Sequence, residues 1–341
     1  MSAFRAIVIE QEREGRHITA HTAETRTLRE DFLAEEPVEI DVGYSGLNYK
    51  DALAVAGRPG IVAASPLIPG IDLAGTVTSS ADPRFRAGDR VVLNGAGLGE
   101  RLNGGLAERA HVDPDALVAL PENVTTRSAA AIGTAGFTAM LSVLALEHGG
   151  LAPADTTGER GLPVLVTGAT GGVGSIAIAV LARLGYRVAA ATGRPDEHGD
   201  YLRGLGAAEI VERAELEDPG RPLQSQRWAG AVDAVGGTIL ANVLAQTRYG
   251  GTVTACGLAQ GPELATTVMP FILRAVTLAG INSVDAPLAL REEAWRRLAS
   301  DLDPTLLEAM TTEVALTDAV GLAEPLLAGE LHGRTVVDVR A

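Results

Sequence analysis

Cysteine is almost absent, Cys256 being the only one in 341 residues. That excludes an intrachain disulfide framework and any metal site built from several thiolates. Lysine is equally scarce: of 28 basic residues only Lys50 is not an arginine. Bases are also outnumbered by 43 carboxylates, which leaves a formal net charge of −15. Such a balance argues against nucleic acid and anionic membranes as partners. Uninterrupted hydrophobic runs are few as well, because arginines break up the long apolar stretches. The segment Met1–Glu10 therefore reads as a first strand rather than a signal peptide, and a cytoplasmic location is expected.

What is present is ample apolar material, 46% of residues, and 40 glycines. The length exceeds what a single core supports, so two domains are expected. Up to residue 128 the chain reads as short strands joined by glycine and proline turns. Val38–Val42 alternates, Leu73–Val77 is apolar, and Arg86–Leu93 is a turn feeding a strand. Gly95–Gly99 and Asn103–Gly105 bracket a loop read as mobile. A helical stretch, Ala129–Leu146, then leads into six strands near 163–167, 187–192, 208–211, 230–235, 251–256 and 276–280, with helical patterns between them. That alternation predicts an α/β fold with a doubly wound parallel sheet. Gly149–Gly161 is a polar loop, and Glu292–Leu298 returns the chain to a closing strand, Arg334–Val339. The expected division is a β-rich catalytic domain over 1–128, a nucleotide-binding domain over 129–282 and a return segment over 283–341.

One strand ends in glycines. Val164–Val166 is followed by Thr167-Gly168-Ala169-Thr170-Gly171-Gly172-Val173-Gly174 and then by the apolar helical stretch Ser175–Leu184. Glycines allow a tight turn and let backbone N–H groups approach a pyrophosphate closely. Ala169 stands where the first glycine of G-x-G-x-x-G belongs, while Gly171 and Gly174 keep the other two places. With the following strand Arg187–Thr192 the stretch completes a βαβ unit, so Thr170, Gly171, Gly172, Val173, Gly174 and Ser175 are expected to cradle a dinucleotide.

The end of that second strand selects the nucleotide. An NAD site places an acidic residue there to accept from the ribose 2′-hydroxyl. Here the residues are Thr192, Gly193 and Arg194, which suit a 2′-phosphate, and Arg213 stands at the end of the next strand. NADPH is the expected coenzyme. In the competing reading both arginines are ordinary surface cations, and Asp196 or Glu197 meets the ribose.

Several longer motifs occur in a fixed order: Gly46-Leu-Asn-Tyr-Lys-Asp51, Ile68-Pro-Gly-Ile-Asp-Leu-Ala-Gly75, Gly104-Gly-Leu-Ala-Glu108 and Ile132-Gly-Thr-Ala-Gly-Phe-Thr-Ala139. With them the whole chain resembles the medium-chain dehydrogenase/reductase superfamily, in its zinc-free quinone-oxidoreductase-like branch. Leu47–Asp51, Ala255–Leu258 and Thr266–Arg274 resemble the NADPH-dependent acryloyl-CoA reductase group within it. The resemblance implies a GroES-like first domain, a six-stranded Rossmann sheet and a homodimer. It also implies Tyr49 near the nicotinamide, and Leu258, Ile272 and Ser283 beside the coenzyme.

Zinc-dependent members of the superfamily carry a cysteine in the first loop and a Gly-His-Glu segment. This chain has Asn48 and Gly70-Ile71-Asp72 at those places, and its six histidines are scattered without ligand spacing. No catalytic zinc is expected. A reaction that needs no metal is conjugate reduction, in which a hydride adds to the β carbon of an unsaturated thioester or enone and a proton to the α carbon. Asn48, Lys50 and Asp51 are candidates for anchoring substrate or delivering the proton, although Asn48 and Asp51 also have the spacing of a helix cap and its first-turn acid. Cys256 reads as a small core residue on a buried strand. The expected substrate is a short α,β-unsaturated acyl-CoA. The alternatives are a quinone or enone reductase of relaxed specificity, and a non-catalytic NADPH-binding protein.

Overall fold

The structure is a computed structural model and describes residues 3–15, 17–158 and 161–341. Met1 and Ser2 of the expected first strand, and Glu159 and Arg160 of the expected polar loop, lie outside the described residues. The chain opens with an antiparallel hairpin of β1 (Ala3–Glu14) and β2 (His17–Arg29). The second strand was not legible in the sequence. Its few apolar side chains, Ile18, Ala20, Ala23 and Leu28, keep no two-residue period among Thr, His, Glu and Arg, and the ladder to β1 defines it.

Next come β3 (Val38–Leu47), the short helix α1 (Tyr49–Val55), β4 (Asp72–Ser80), β5 (Arg90–Asn94), β6 (Arg109–Val112), β7 (Val118–Ala119) and α2 (Thr126–His148). Strands and helices then alternate: β8 (Val164–Val166), α3 (Gly172–Arg183), β9 (Val188–Thr192), α4 (Pro195–Gly204), β10 (Glu209–Glu212), α5 (Ala214–Glu217), β11 (Gly230–Asp233), α6 (Gly237–Gln246), β12 (Thr252–Ala255), α7 (Met269–Arg274) and β13 (Thr277–Gly280). The chain ends with α8 (Leu288–Asp301), α9 (Pro304–Ala309), β14 (Thr311–Ala315), α10 (Ala323–Leu327) and β15 (Arg334–Asp338).

These elements form two compact units. Met1–Phe137, Ser283–Ala299 and Leu307–Ala341 make the first; Thr138–Asn282 and Ser300–Leu306 make the second. The first holds a seven-stranded sheet in the order β14-β15-β3-β4-β5-β7, with β6 also paired to β3. Alternate residues of β3, namely Val38, Ile40 and Val42, are buried against Leu73, Val91 and Val337, as the two-residue period of a strand requires. The second unit holds a fully parallel six-stranded sheet in the order β10-β9-β8-β11-β12-β13. The order in which the chain adds strands reverses between β8 and β11, the place where a doubly wound sheet opens a crevice at its strand ends.

Two expectations need correction. Contrary to the reading that arginines break up the long apolar stretches, α2 is long and apolar enough to cross a membrane; 89% of its apolar window is nevertheless buried inside the fold. The stretch Gly95–Gly105 is not a loose loop. Its backbone is pinned by Gly95 N–H to Ile71 O, Ala96 N–H to Val284 O, Gly104 N–H to Ile68 O and Gly105 N–H to Gly70 O, all at 2.8–3.2 Å, and Leu98 belongs to the apolar core.

Helix α2 is broken at Gly133, where φ is 51° and ψ −164°. That break frees the Thr134 N–H from the helical ladder, and it turns to the Asp72 carboxylate at 2.8 Å. A Cβ at Gly133 would lie 2.5 Å from both Asp72 Oδ2 and Arg334 Nη2. Gly133→Ala therefore combines backbone strain with overpacking, and should lower stability by about 2–4 kcal/mol. Chemical denaturation checks this; an unchanged midpoint would mean that the break carries no strain.

Candidate functional site

In the second unit the polypeptide leaves β8 through a turn closed by Gly171 N–H to Gly168 O at 3.0 Å. Helix α3 begins at Gly172, earlier than the sequence suggested, so Gly172, Val173 and Gly174 form its first turn. Their amide groups have no partner within the helix and carry the positive end of its dipole. A Cβ at Gly174 would stand 2.4 Å from Gly168 O, so only glycine lets helix and turn pack this closely. Ser175 Oγ donates to Ala169 O at 3.3 Å and accepts from Tyr201 Oη at 2.9 Å, which ties α4 to the turn. On the other side, Thr167 Oγ1 donates to Asp233 Oδ1 at 2.6 Å. Unpartnered first-turn amides at the positive end of α3, beside a turn with no side chain in the way, are the chemistry a pyrophosphate calls for.

Thr192 closes β9, Gly193 and Arg194 follow it, and Arg213 follows β10, so neighbouring parallel strands deliver them to the same end of the sheet. Arg213 N–H donates to Thr192 O at 2.9 Å, and Arg194 N–H to Thr192 Oγ1 at 3.2 Å. Both guanidinium groups are exposed. Arg194 lies 3.6 Å from Glu197, a residue the sequence left as a ribose partner. Leu258, after β12, and Ile272, in α7, are exposed apolar side chains of this unit.

In the first unit, Asn48, Tyr49, Lys50 and Asp51 form the entry to α1. Tyr49 is 53% exposed and available to a ligand. Lys50 Nζ is salt-bridged to Glu100 Oε1 at 2.7 Å, which binds α1 to the pinned 95–105 stretch. Asn48 and Asp51 point inward. Asp51 Oδ2 accepts from the Asn48 N–H at 2.8 Å and from Asn48 Nδ2 at 3.0 Å, while Asp51 Oδ1 accepts from the Ile71 N–H at 2.8 Å. Burial, and next the negative charge of Asp72, push the Asp51 carboxyl up to about 7. Ser283 also belongs to this unit, and its carbonyl accepts from the buried Arg291 at 3.2 Å.

Asp72 was not singled out by sequence reasoning, yet it is the most heavily bonded group here. It accepts from Asn48 Nδ2 and Asn94 Nδ2, each at 2.7 Å, and from Thr134 Oγ1 at 2.6 Å. Arg334, also missed, donates Nε to Ala131 O at 2.7 Å and Nη1 to Asn48 Oδ1 at 3.1 Å, with Nη2 3.8 Å from Asp72 Oδ2. Burial draws this guanidinium below its ordinary value, with the charges of Asp72 and Asp51 opposing that shift.

Comparison with known proteins places this geometry. Residues 34–122 match the alcohol dehydrogenase GroES-like domain, and residues 172–300 match the zinc-binding dehydrogenase family. The acrylyl-CoA reductase AcuI of Ruegeria pomeroyi is 50% identical over 99% of this chain and 100% of its own length. The probable acrylyl-CoA reductase AcuI of Escherichia coli K12 is 50% identical over 98% and 100% respectively. Among solved structures, the yhdH oxidoreductase of Salmonella enterica in complex with NADP superposes with a TM-score of 0.92 at 51% identity, covering 98% of this chain and 99% of that one.

The chain belongs to the medium-chain dehydrogenase/reductase superfamily.

Within that superfamily the match to a zinc-binding family raises the question of whether this member can hold zinc. The Asn48 amide is committed at both ends, its Nδ2 to Asp51 and Asp72 and its oxygen to Arg334. Asp72 is filled by amide and hydroxyl donors and faces a guanidinium. A divalent cation there would meet the positive charge of Arg334 and find no thiolate or imidazole, so these residues do not fit zinc. Among the described residues no group of three or more His, Cys, Asp or Glu is arranged to hold a metal.

Cys256 lies just beyond β12 rather than within it, half-buried, with Sγ donating to Asp233 O at 3.2 Å. Burial, reinforced by the nearby Asp233 charge, pushes the thiol up to about 12, so it stays protonated.

The raised Asp51 value has a consequence for stability. Folded Asp51 keeps its proton up to about pH 7, whereas an ordinary carboxyl loses it near 3.8. Its contribution is thus fully present below the ordinary value and lost as pH rises through the folded one. Asp51→Asn should flatten the fall in melting temperature between pH 4 and 7. A variant whose melting temperature changes with pH just as the unmutated protein's does would show that Asp51 titrates normally.

Proposed function

We propose that this chain reduces the carbon–carbon double bond of a short α,β-unsaturated acyl-CoA, acryloyl-CoA to propanoyl-CoA, using NADPH. The observation that carries this reading is identity of one residue in two, over essentially full length on both sides, with acrylyl-CoA reductases. Support for the coenzyme comes from the bare turn at Gly174 and from the arginines, rather than carboxylates, that follow β9 and β10.

Thr170–Ser175 hold the pyrophosphate with first-turn amides, and Thr192, Gly193, Arg194 and Arg213 take the 2′-phosphate. Leu258, Ile272 and Ser283 complete the coenzyme contacts. Bound NADPH supplies the hydride. Tyr49 touches the reacting ends of coenzyme and substrate, and its phenol donates to the carbonyl oxygen on which charge develops. Asn48 and Asp51 fix the start of α1 beneath it, and Lys50 holds that turn to the 95–105 stretch. Such a reaction needs no Lewis acid, in keeping with a cluster closed by Arg334. The protein acts in the cytoplasm as a homodimer. Support for the second copy comes from β13, the outermost strand of its sheet, and from the exposed Val268, Ile272 and Leu273 of the segment before it.

The test is NADPH consumption by the purified protein with acryloyl-CoA, free acrylate and a simple quinone. Acryloyl-CoA should turn over far faster than acrylate, since remote binding energy from the CoA portion orients the alkene, and a chelator should leave the rate intact. Brisk reduction of the quinone with acryloyl-CoA ignored would overturn the reading. Tyr49→Phe should lower kcat, by up to the ~10²–10³-fold that loss of an oxyanion donor costs, with NADPH affinity little changed. An unaltered kcat would return Tyr49 to a structural role.

A further inference from the structure

Arg213 reaches the same end of the sheet as Arg194, but it is held differently. Its Nε donates to Glu217 Oε1 at 2.6 Å, one helical turn on across the short α5. The other glutamate of α5, Glu215, lies on the opposite side of that turn and is bound to Arg227 at 3.0 Å. Nη1 and Nη2 of Arg213 make no hydrogen bond among the described residues. The guanidinium lies against Gly193: a Cβ there would stand 2.8 Å from Arg213 Cζ, 2.9 Å from Nη2 and 3.1 Å from Nη1. One edge of the planar group is therefore occupied and its flat side is backed by bare glycine. The two remaining nitrogens form the fork that grips a phosphate bidentately.

The geometry points to Glu217 as a positioning residue for coenzyme choice, holding Arg213 over Gly193 with Nη1 and Nη2 kept for the 2′-phosphate. This rests on the NADPH reading above and names a residue that acts on it without touching the nucleotide. A flexible arginine loses rotamer freedom when it grips an anion, and a guanidinium already fixed through Nε loses less. Glu217 also brings a negative charge towards the phosphate, which works against binding. Glutamine separates the two effects, because its amide oxygen still accepts from Nε while the charge is gone.

The experiment is calorimetric titration of the full chain with 2′,5′-ADP and with 5′-AMP, which differ only in the 2′-phosphate. E217A should weaken 2′,5′-ADP about threefold, the scale of an exposed ion pair, and leave 5′-AMP unchanged. E217Q should bind 2′,5′-ADP as the unmutated protein does or slightly better. In an Arg213→Ala background E217A should add no further loss. The inference is overturned if E217A binds 2′,5′-ADP as tightly as the unmutated chain, if E217Q is weakened as much as E217A, or if the loss persists without Arg213. Equal affinity of the unmutated protein for the two nucleotides would instead remove the NADPH reading, and this inference with it.

Discussion

The first unit is organised around one buried anion. Asp72 is 1% exposed, and a carboxylate that far from water costs several kcal/mol unless its lone pairs are filled. The donors that fill them come from different parts of the chain, Asn48 at the head of α1, Asn94 at the end of β5 and Thr134 at the break in α2, and the guanidinium of Arg334 at the start of β15 sets its charge opposite at 3.8 Å without a hydrogen bond. Satisfying Asp72 therefore fixes the relative positions of four elements. The distortion of α2 follows from it, since Thr134 can turn its amide to the carboxylate only where the helix is interrupted.

The same anion explains why Tyr49 stands where it does. Asn48 divides its amide between Asp72, Asp51 and Arg334, which leaves the next residue no choice but to begin α1 with its ring outward. Capping and chemistry were alternative readings of Asn48 and Asp51. The hydrogen bonds make them structural supports for an exposed neighbour, and an exposed phenol on a fixed backbone is suited to meeting a ligand. In the second unit the corresponding constraint is steric, because Gly174 admits Gly168 O into space that a methyl group would fill.

Local patterns made the second unit readable. An apolar strand, a glycine turn and an apolar helix lie within about twenty consecutive positions, and the periodicity of the six strands survives without tertiary information. Thr192–Arg194 could be read for the same reason, since its meaning depends on a short distance from the glycines. Asp72 and Arg334 carried no such signal. Each opens an ordinary apolar strand, and nothing in a single sequence says that residues so far apart will meet. A charged residue heading a strand that is otherwise Thr-Val-Val is the one hint, and it does not name its partner. Strand β2 was hidden by the opposite circumstance, because its ladder is made by the backbone and none of its side chains is fully buried.

Sheet order in the first unit bears on how the protein is made. Strand β15 lies between β14 and β3, and its first residue supplies the guanidinium beside Asp72. While the ribosome is still short of residue 334, β3 lacks its neighbour on that side and Asp72 lacks its cation. The early strands cannot close their sheet in the order in which they emerge. The parallel sheet of the second unit draws all its strands from the continuous stretch Thr138–Asn282, so it has every ladder partner in hand before the amino-terminal half can finish. The carboxy-terminal strand is in this sense the last stitch of a fabric begun three hundred residues earlier, and a chain that stops short of it leaves the first unit open.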